Sequence, residues 1–269
     1  MIESSLWIVT DIDGTLMDHA YDLSPAKKTI KWLQDLNIPV IPCTSKTASE
    51  VELIRSELNL KDPYIVENGG AIYGEDPEGA RWEIVLGEKY EVLVNVLKEL
   101  SSLVQYDLRP LNDLTDKEAY ELTGLSGESL IRMRERYWSM PFLNPPNEIE
   151  AKLADLCKNF NVNIFRGNRM SHLLSINSNK GKAIQKLREQ SQKSNVYIIG
   201  LGDSPNDLPL IENSDCKIVI PGENGPNKLL IDKLINTDFI LAEEPHGLGW
   251  RSEVMNQVSK YMTSNNLDN

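Results

Sequence analysis

Two carboxylates one residue apart, Asp11 and Asp13, close an apolar run that starts at Leu6, and Gly14 and Thr15 follow. A buried strand that ends this way delivers acidic oxygens to the edge where open α/β sheets bind their ligands. There the pair could hold Mg²⁺ through hard oxygen ligands while one oxygen stays free to attack an electrophile such as phosphorus. Asp11 would be the nucleophile and Asp13 the acid and base. The competing reading is structural, since aspartates commonly end strands and open turns.

Three further segments offer partners for that chemistry. Thr44-Ser45-Lys46-Thr47 follows a second apolar run, so its hydroxyls and amides open at the same sheet edge, suited to gripping a phosphoryl oxygen. Thr47 with Glu50 also reads as a helix capping box, so Thr44 and Thr47 can divide the two tasks. Lys180-Gly181 opens a helix, where the macrodipole disfavours a cation; its placement points to a nearby anion, and a solvated lysine is the plain alternative. Gly200-Leu201-Gly202-Asp203-Ser204-Pro205-Asn206-Asp207 leaves another buried run, with Asp203 at its end as Asp11 is at the first. A helix start with serine cap, first-position proline and acidic third residue accounts for Asp207 and leaves Asp203 without a structural task. Aspartates at two strand ends, with a hydroxyl and a lysine, are what metal-assisted phosphoryl transfer requires.

The elements that must position these groups are legible as short apolar runs at 6–10, 38–44, 64–66, 196–200, 217–220 and 239–241, which suit strands buried on both faces. Ser24 as cap, Pro25 in the first turn and the stripe Ala26, Ile30, Leu33, Leu36 predict a helix between the first two strands; Val51, Ile54 and Leu58 predict another before the third. Strand, helix, strand, helix, strand implies a doubly wound, Rossmann-like parallel sheet. The middle of the chain breaks this rhythm. It holds candidate strands at 82–86 and 163–166, a helix at 90–103 and turn-rich text at 141–146, before the alternation resumes at Lys180. We therefore expect an α/β core from 1–81 and 178–269 with an inserted α/β cap at 82–177, and a frayed tail from Ser264.

The 269 residues, 41% hydrophobic and 25% charged, describe an ordinary globular chain with no run long enough to span a bilayer, and no secretory signal opens it. A cytoplasmic location is expected. A net charge of −12 argues against nucleic acid, whose backbone requires a concentrated basic surface, but leaves room for a small anionic substrate where a few cations converge. Cys43, Cys157 and Cys216 have no metal or redox spacing and read as inert thiols, and His19, His172 and His246 are too scattered for a histidine metal site.

Taken together, the four segments resemble the haloacid dehalogenase superfamily of phosphohydrolases: Asp11-Ile12-Asp13-Gly14-Thr15 as its first motif, Thr44 as the second, Lys180 as the third, and Gly202 through Asp207 as the fourth. The resemblance implies Asp11 as nucleophile and Asp13 as acid and base. It also implies Mg²⁺ on Asp11, the Asp13 backbone carbonyl and Asp203, with Asp207 at or just behind the metal shell. Thr44 and Lys180 would hold and neutralise the phosphoryl group. More narrowly, Thr44-Ser45-Lys46-Thr47, Glu67-Asn68-Gly69-Gly70, Glu121 through Ser126, Arg166 through Leu173 and Pro245 through Trp250 are similar to the mannosyl-3-phosphoglycerate phosphatase group.

That resemblance implies a hexosyl-3-phosphoglycerate substrate, giving mannosylglycerate or glucosylglycerate, small anionic solutes suited to osmotic adjustment. The group's Gly-Gly-Arg-Phe run reads Gly167-Asn168-Arg169-Met170 here, which leaves the sugar open. Arg169 suits a bidentate grip on the glycerate carboxylate, and His172 a sugar hydroxyl; an ordinary surface arginine is the alternative. Lys46 could meet the same anion from the core side. Ser45, Glu67, Asn68 and Asn206 complete the expected substrate contacts, although Asn68-Gly69-Gly70 is also a plain turn. Trp250 reads as core cover. A sucrose-phosphate phosphatase type of enzyme and a catalytically inactive binding module are the rival readings.

Overall fold

The computed structural model describes residues 4–18, 20–167, 169–191 and 195–266. His19 and Asn168 lie outside the described residues. The chain opens with strand β1 (Leu6–Thr10), helix α1 (Ser24–Asp35), β2 (Val40–Pro42), α2 (Ala48–Leu58), β3 (Tyr64–Val66), β4 (Ala71–Glu75) and β5 (Arg81–Val85). Along β1 the pleat sends Leu6 and Ile8 into one apolar cluster and Trp7 and Val9 into a second on the other face. All five residues are buried, each large apolar side chain contributing roughly 1.5–3 kcal/mol by its removal from water. Burial on both faces is why this strand reads as a continuous apolar run.

Helix α2 carries the expected capping box: Thr47 Oγ1 accepts from Glu50 N at 3.2 Å and Glu50 Oε2 accepts from Thr47 N at 2.9 Å. At α1 the expected cap moves. Ser24 is the first helical residue, and its amide and hydroxyl both donate to Asp22 at 2.8 Å, so the aspartate two residues earlier does the capping.

The middle of the chain forms α3 (Tyr90–Val104), α4 (Asp116–Thr123), α5 (Gly127–Arg134), β6 (Met140–Leu143), α6 (Asn147–Leu156), β7 (Val162–Arg166) and β8 (Met170–Ser175). Its three strands pair antiparallel in the order β6-β8-β7 and back a separate apolar cluster that includes Leu93, Leu97, Phe142, Leu153 and Leu173. Two departures from expectation concern this region. The strand expected at 82–86 as the opening of the cap is β5, and it pairs with β4 while Trp82 and Ile84 pack on a core cluster; the hairpin β3-β4-β5 thus belongs to the core side. The turn-rich text at 141–146 hides β6, whose Pro141 is tolerated because β6 is an edge strand that pairs with β8 and meets only an isolated bridge, Pro110 to Phe142, on its outer side.

The chain then returns through α7 (Lys180–Glu189), β9 (Tyr197–Gly202), α8 (Leu208–Glu212), β10 (Cys216–Val219), α9 (Lys228–Leu234), β11 (Ile240–Leu241) and α10 (His246–Asn266). The principal sheet is parallel throughout, in the order β11-β10-β9-β1-β2, and β3 touches it through a single bridge between Cys43 and Ile65. β1 and β9 are therefore neighbours, and their C-terminal ends open side by side. Of the tail expected to fray, residues 264–266 are helical, and residues 267–269 lie outside the described residues. Among the described residues no helix is long and apolar enough to cross a membrane.

Candidate active site

Adjacency of β1 and β9 brings Asp11 and Asp203 together at one sheet edge, and Asp207 joins them from the turn that follows. Oxygens of these three carboxylates lie within 4.8 Å of one another. Asp11 N donates to Leu201 O at 2.9 Å, tying the exit of β1 to β9. Gly14 then turns the chain with φ of +85°, in the left-handed region, and a Cβ there would stand 2.7 Å from Asp203 Oδ2. Only glycine permits both the turn and that approach.

Lys180, the first residue of α7 and fully buried, places its Nζ 2.6 Å from Asp11 Oδ1 and 2.5 Å from Asp207 Oδ1. The anion that its unfavourable helix position pointed to is this pair of aspartates. The other oxygen of Asp207 accepts from Asp203 N at 3.1 Å and Ser204 N at 3.0 Å, so one carboxylate both shapes the loop and faces the cluster.

One buried ammonium does not balance three neighbouring carboxylates. Burial, reinforced by Asp207, pushes the Asp11 carboxyl up to about 7 against the pull of Lys180. Burial and the nearness of Asp207 and Asp11 raise Asp203 well above the usual carboxylate range. Burial works against the charge on Lys180, yet Asp11 and Asp207 hold it protonated. Excess negative charge on hard oxygen donors is the setting that a divalent cation such as Mg²⁺ fits.

The side chain of Asp13 turns away from that cluster. Its Oδ2 pairs with Lys46 Nζ at 3.1 Å, and Lys46 also approaches Glu50 Oε1 at 3.5 Å and lies over the ring of Tyr21. Burial opposes the Lys46 charge, and Asp13 and Glu50 more than restore it. Lys46 was expected to meet substrate; here its closest partner is the expected acid and base.

Of the expected substrate contacts, Ser45, Lys46, Arg169, His172 and Asn206 line one cavity together with Asp11 and Asp13. His172 is buried, its Nδ1 has no hydrogen-bond partner among the described residues, and burial, aided by the cations of Arg136 and Lys180, drives its pKa down to about 3. The cavity therefore meets a neutral imidazole. Arg169 sits at the outer lip, where its Nη1 donates to Thr123 O at 3.0 Å and Tyr21 OH at 3.3 Å.

Glu67 and Asn68 do not line that cavity. Glu67 is 1% exposed, and its carboxylate accepts from Tyr137 N at 3.0 Å, Trp138 N at 3.1 Å and Ser139 Oγ at 2.7 Å. A buried carboxylate needs such donors, and taking them from the incoming segment makes Glu67 a clasp between core and insert in place of a sugar ligand. Asn68 sits behind Asn206, accepting from its Nδ2 at 3.0 Å. Thr44 is fully buried and also absent from the cavity wall; its hydroxyl accepts from Lys46 N at 3.2 Å.

Among the wall residues that sequence reading missed are two polar ones, Tyr21 and Arg136. Tyr21 joins the lip from the segment after β1, and its hydroxyl donates to Thr123 O at 3.1 Å. Arg136, buried, donates from Nη1 to Ser45 O at 2.6 Å. Neither lies in a motif; an arginine beyond the last turn of α5 carries no local signal of the core loop it reaches.

Residues 8–229 match the family model described as haloacid dehalogenase-like hydrolase. The chain is similar to glucosyl-3-phosphoglycerate/mannosyl-3-phosphoglycerate phosphatases of Persephonella marina and Methanococcoides burtonii. It is 29% identical to the first over 94% of this chain and 98% of that one. It is 30% identical to the second over 94% and 97%. The fold is also that of the sucrose-phosphatase from Synechocystis, bound there to sucrose and phosphate, with a TM-score of 0.63 at 18% identity over 94% and 97% of the two chains.

Proposed function

We propose, from the premise that this chain belongs to the haloacid dehalogenase-like hydrolases and is a phosphoric monoester hydrolase, that it releases phosphate from a hexosyl-3-phosphoglycerate with the help of Mg²⁺. The observation that carries this reading is the meeting of Asp11, Asp203, Asp207 and Lys180 at the mouth of β1 and β9, beneath a cavity whose wall holds Lys46, Arg136 and Arg169. Asp11 and Asp203, with Asp207, would hold the metal ion. When bound, the ion neutralises charge on the phosphoryl oxygens.

Asp11 attacks phosphorus in line; the bond to the leaving oxygen breaks, and Asp13 gives that oxygen its proton. The aspartyl-phosphate on Asp11 is then hydrolysed by a water from which Asp13 takes a proton, which frees Asp11 and releases phosphate. Lys180, already 2.6 Å from Asp11, supplies positive charge where it develops. The glycerate carboxylate is met by Arg169 at the lip and by Lys46, and His172 offers an imidazole to a sugar hydroxyl. Closure of the lip over bound substrate would limit water until hydrolysis needs it.

The test measures phosphate release by the purified protein from mannosyl- and glucosyl-3-phosphoglycerate, sucrose 6-phosphate and an aryl phosphate, with Mg²⁺ and with chelator. Fast turnover of a hexosyl-3-phosphoglycerate, lost in chelator, is expected. Preference for sucrose 6-phosphate would move the enzyme to the other sugar class. Absence of release from every substrate would leave only a binding module.

A further inference from the structure

The C-terminal helix reaches the first motif on both sides of Asp13, directly at the Gly14 carbonyl and through the Thr10 hydroxyl at the Asp11 carbonyl. His246, the first residue of α10, is buried, and its Nδ1 lies 2.9 Å from Gly14 O. A carbonyl only accepts, so Nδ1 carries the proton and donates. Trp250, one turn later and fully buried, donates from Nε1 to Thr10 Oγ1 at 3.0 Å, and Thr10 Oγ1 donates in turn to Asp11 O at 2.7 Å. Between the two struts Gly247 packs so closely that a Cβ would stand 2.9 Å from Leu16 O.

We infer that His246 and Trp250 are positioning residues, which hold the Asp11 to Gly14 loop in register for both chemical steps. On its inner side Gly14 abuts the Asp203 carboxylate, as close as glycine allows, and on its outer side its carbonyl is held by His246. Gly14, the residue after Asp13, is thereby pinned between a neighbouring carboxylate and the C-terminal helix. Trp250 acts at the other end of the loop through the Thr10 hydroxyl, fixing the backbone of the nucleophile. Neither side chain lines the cavity, so their effect falls on placement and not on substrate contact.

The inference rests on the proposed roles of Asp11 and Asp13, and the two amide variants of His246 separate it from them. Asparagine carries a nitrogen where histidine has Nδ1, and it tolerates the φ of +48° found at this position. Glutamine carries its nitrogen where Nε2 stands, and so cannot reach Gly14 O the same way.

Both variants and Trp250→Phe are compared with wild type on an aryl phosphate and on a hexosyl-3-phosphoglycerate, with thermal unfolding measured alongside. His246→Gln should lower kcat on both substrates by about tenfold, with KM and the pH limbs unchanged, because small misplacements of reacting groups cost rate and not affinity. His246→Asn should restore kcat to within about twofold of wild type, and Trp250→Phe should lose about threefold on both substrates. Equal rates for the Asn and Gln variants, a loss confined to KM, or a moved pH limb overturns the inference. A wild type inactive on both substrates overturns the phosphatase reading and the inference with it.

Discussion

The two ends of the cavity are built by different means. At the phosphoryl end the groups stand on strand ends or a first helical turn, and each is held by buried partners: Asp11 by Lys180, and Asp207 by Lys180 and two backbone amides. At the lip, Tyr21 and Arg169 are half-buried loop side chains that meet each other and the C-terminal carbonyl of α4. The first end has one arrangement available to it, because moving any member strands a buried charge. The lip can be rebuilt side chain by side chain without disturbing the sheet. Chemistry and selectivity are thus separable, and mutation should separate them.

Asp11→Asn attacks the rigid end and should have the largest effect. An amide is a poor nucleophile and metal ligand, so release from every substrate should fall by about a thousandfold or more. Activity within tenfold of wild type would end the covalent mechanism. Arg169→Ala attacks the lip. Loss of a charge-assisted contact of roughly 1.5–3 kcal/mol should lower kcat/KM on a hexosyl-3-phosphoglycerate by about ten- to a hundredfold and leave an aryl phosphate nearly untouched. Equal losses on both substrates would erase the distinction between the two ends.

Two smaller effects sharpen the comparison. Glu67→Gln puts an amide NH₂ among three donors, and should cost about 1–3 kcal/mol of stability in urea unfolding. An unchanged midpoint would show that Glu67 does not bind the insert to the core. His172→Asn tests the buried imidazole through pH. The folded pKa near 3 lies below the unfolded value, so the unfolded chain binds more protons between them, and stability falls as pH drops through that window. By pH 5 the histidine's share of that loss is about 2 kcal/mol, so the variant should lose less stability than wild type between pH 7 and pH 5. Parallel curves would mean that His172 binds protons alike in the folded and the unfolded chain, and that burial does not hold it neutral.

The core was legible because its signals are local. Buried parallel strands read as short apolar runs, and Asp11, Thr44, Lys180 and Asp203 each sit within a residue or two of an element boundary. The insert was less legible: β6 contains a proline, and β8, buried along its whole length, follows a loop that drew attention for its arginine. Glu67 was misread for a deeper reason. Its position after β3 matches that of a ligand-binding residue, and only the arrival of Tyr137 to Ser139, some seventy residues downstream, turns the carboxylate into a clasp. No periodicity announces such a partner. Tyr21 and Arg136 were missed on the same ground, and the capping aspartate of α1 because Ser24-Pro25 imitates a cap and first turn one residue out of place.

The clasp also bears on how proteins of this architecture diversify. An insert joined only by its two linkers could be exchanged between chains by recombination at those points. Here Glu67 holds Tyr137, Trp138 and Ser139, Arg136 reaches Ser45, and Thr47 donates to Arg132 O at 2.9 Å, so a third seam joins insert to core. A graft cut at the linkers would leave a buried carboxylate facing a stranger's backbone. The heritable unit of specificity therefore includes a few core residues along with the insert, and a chimaera should be designed to carry both.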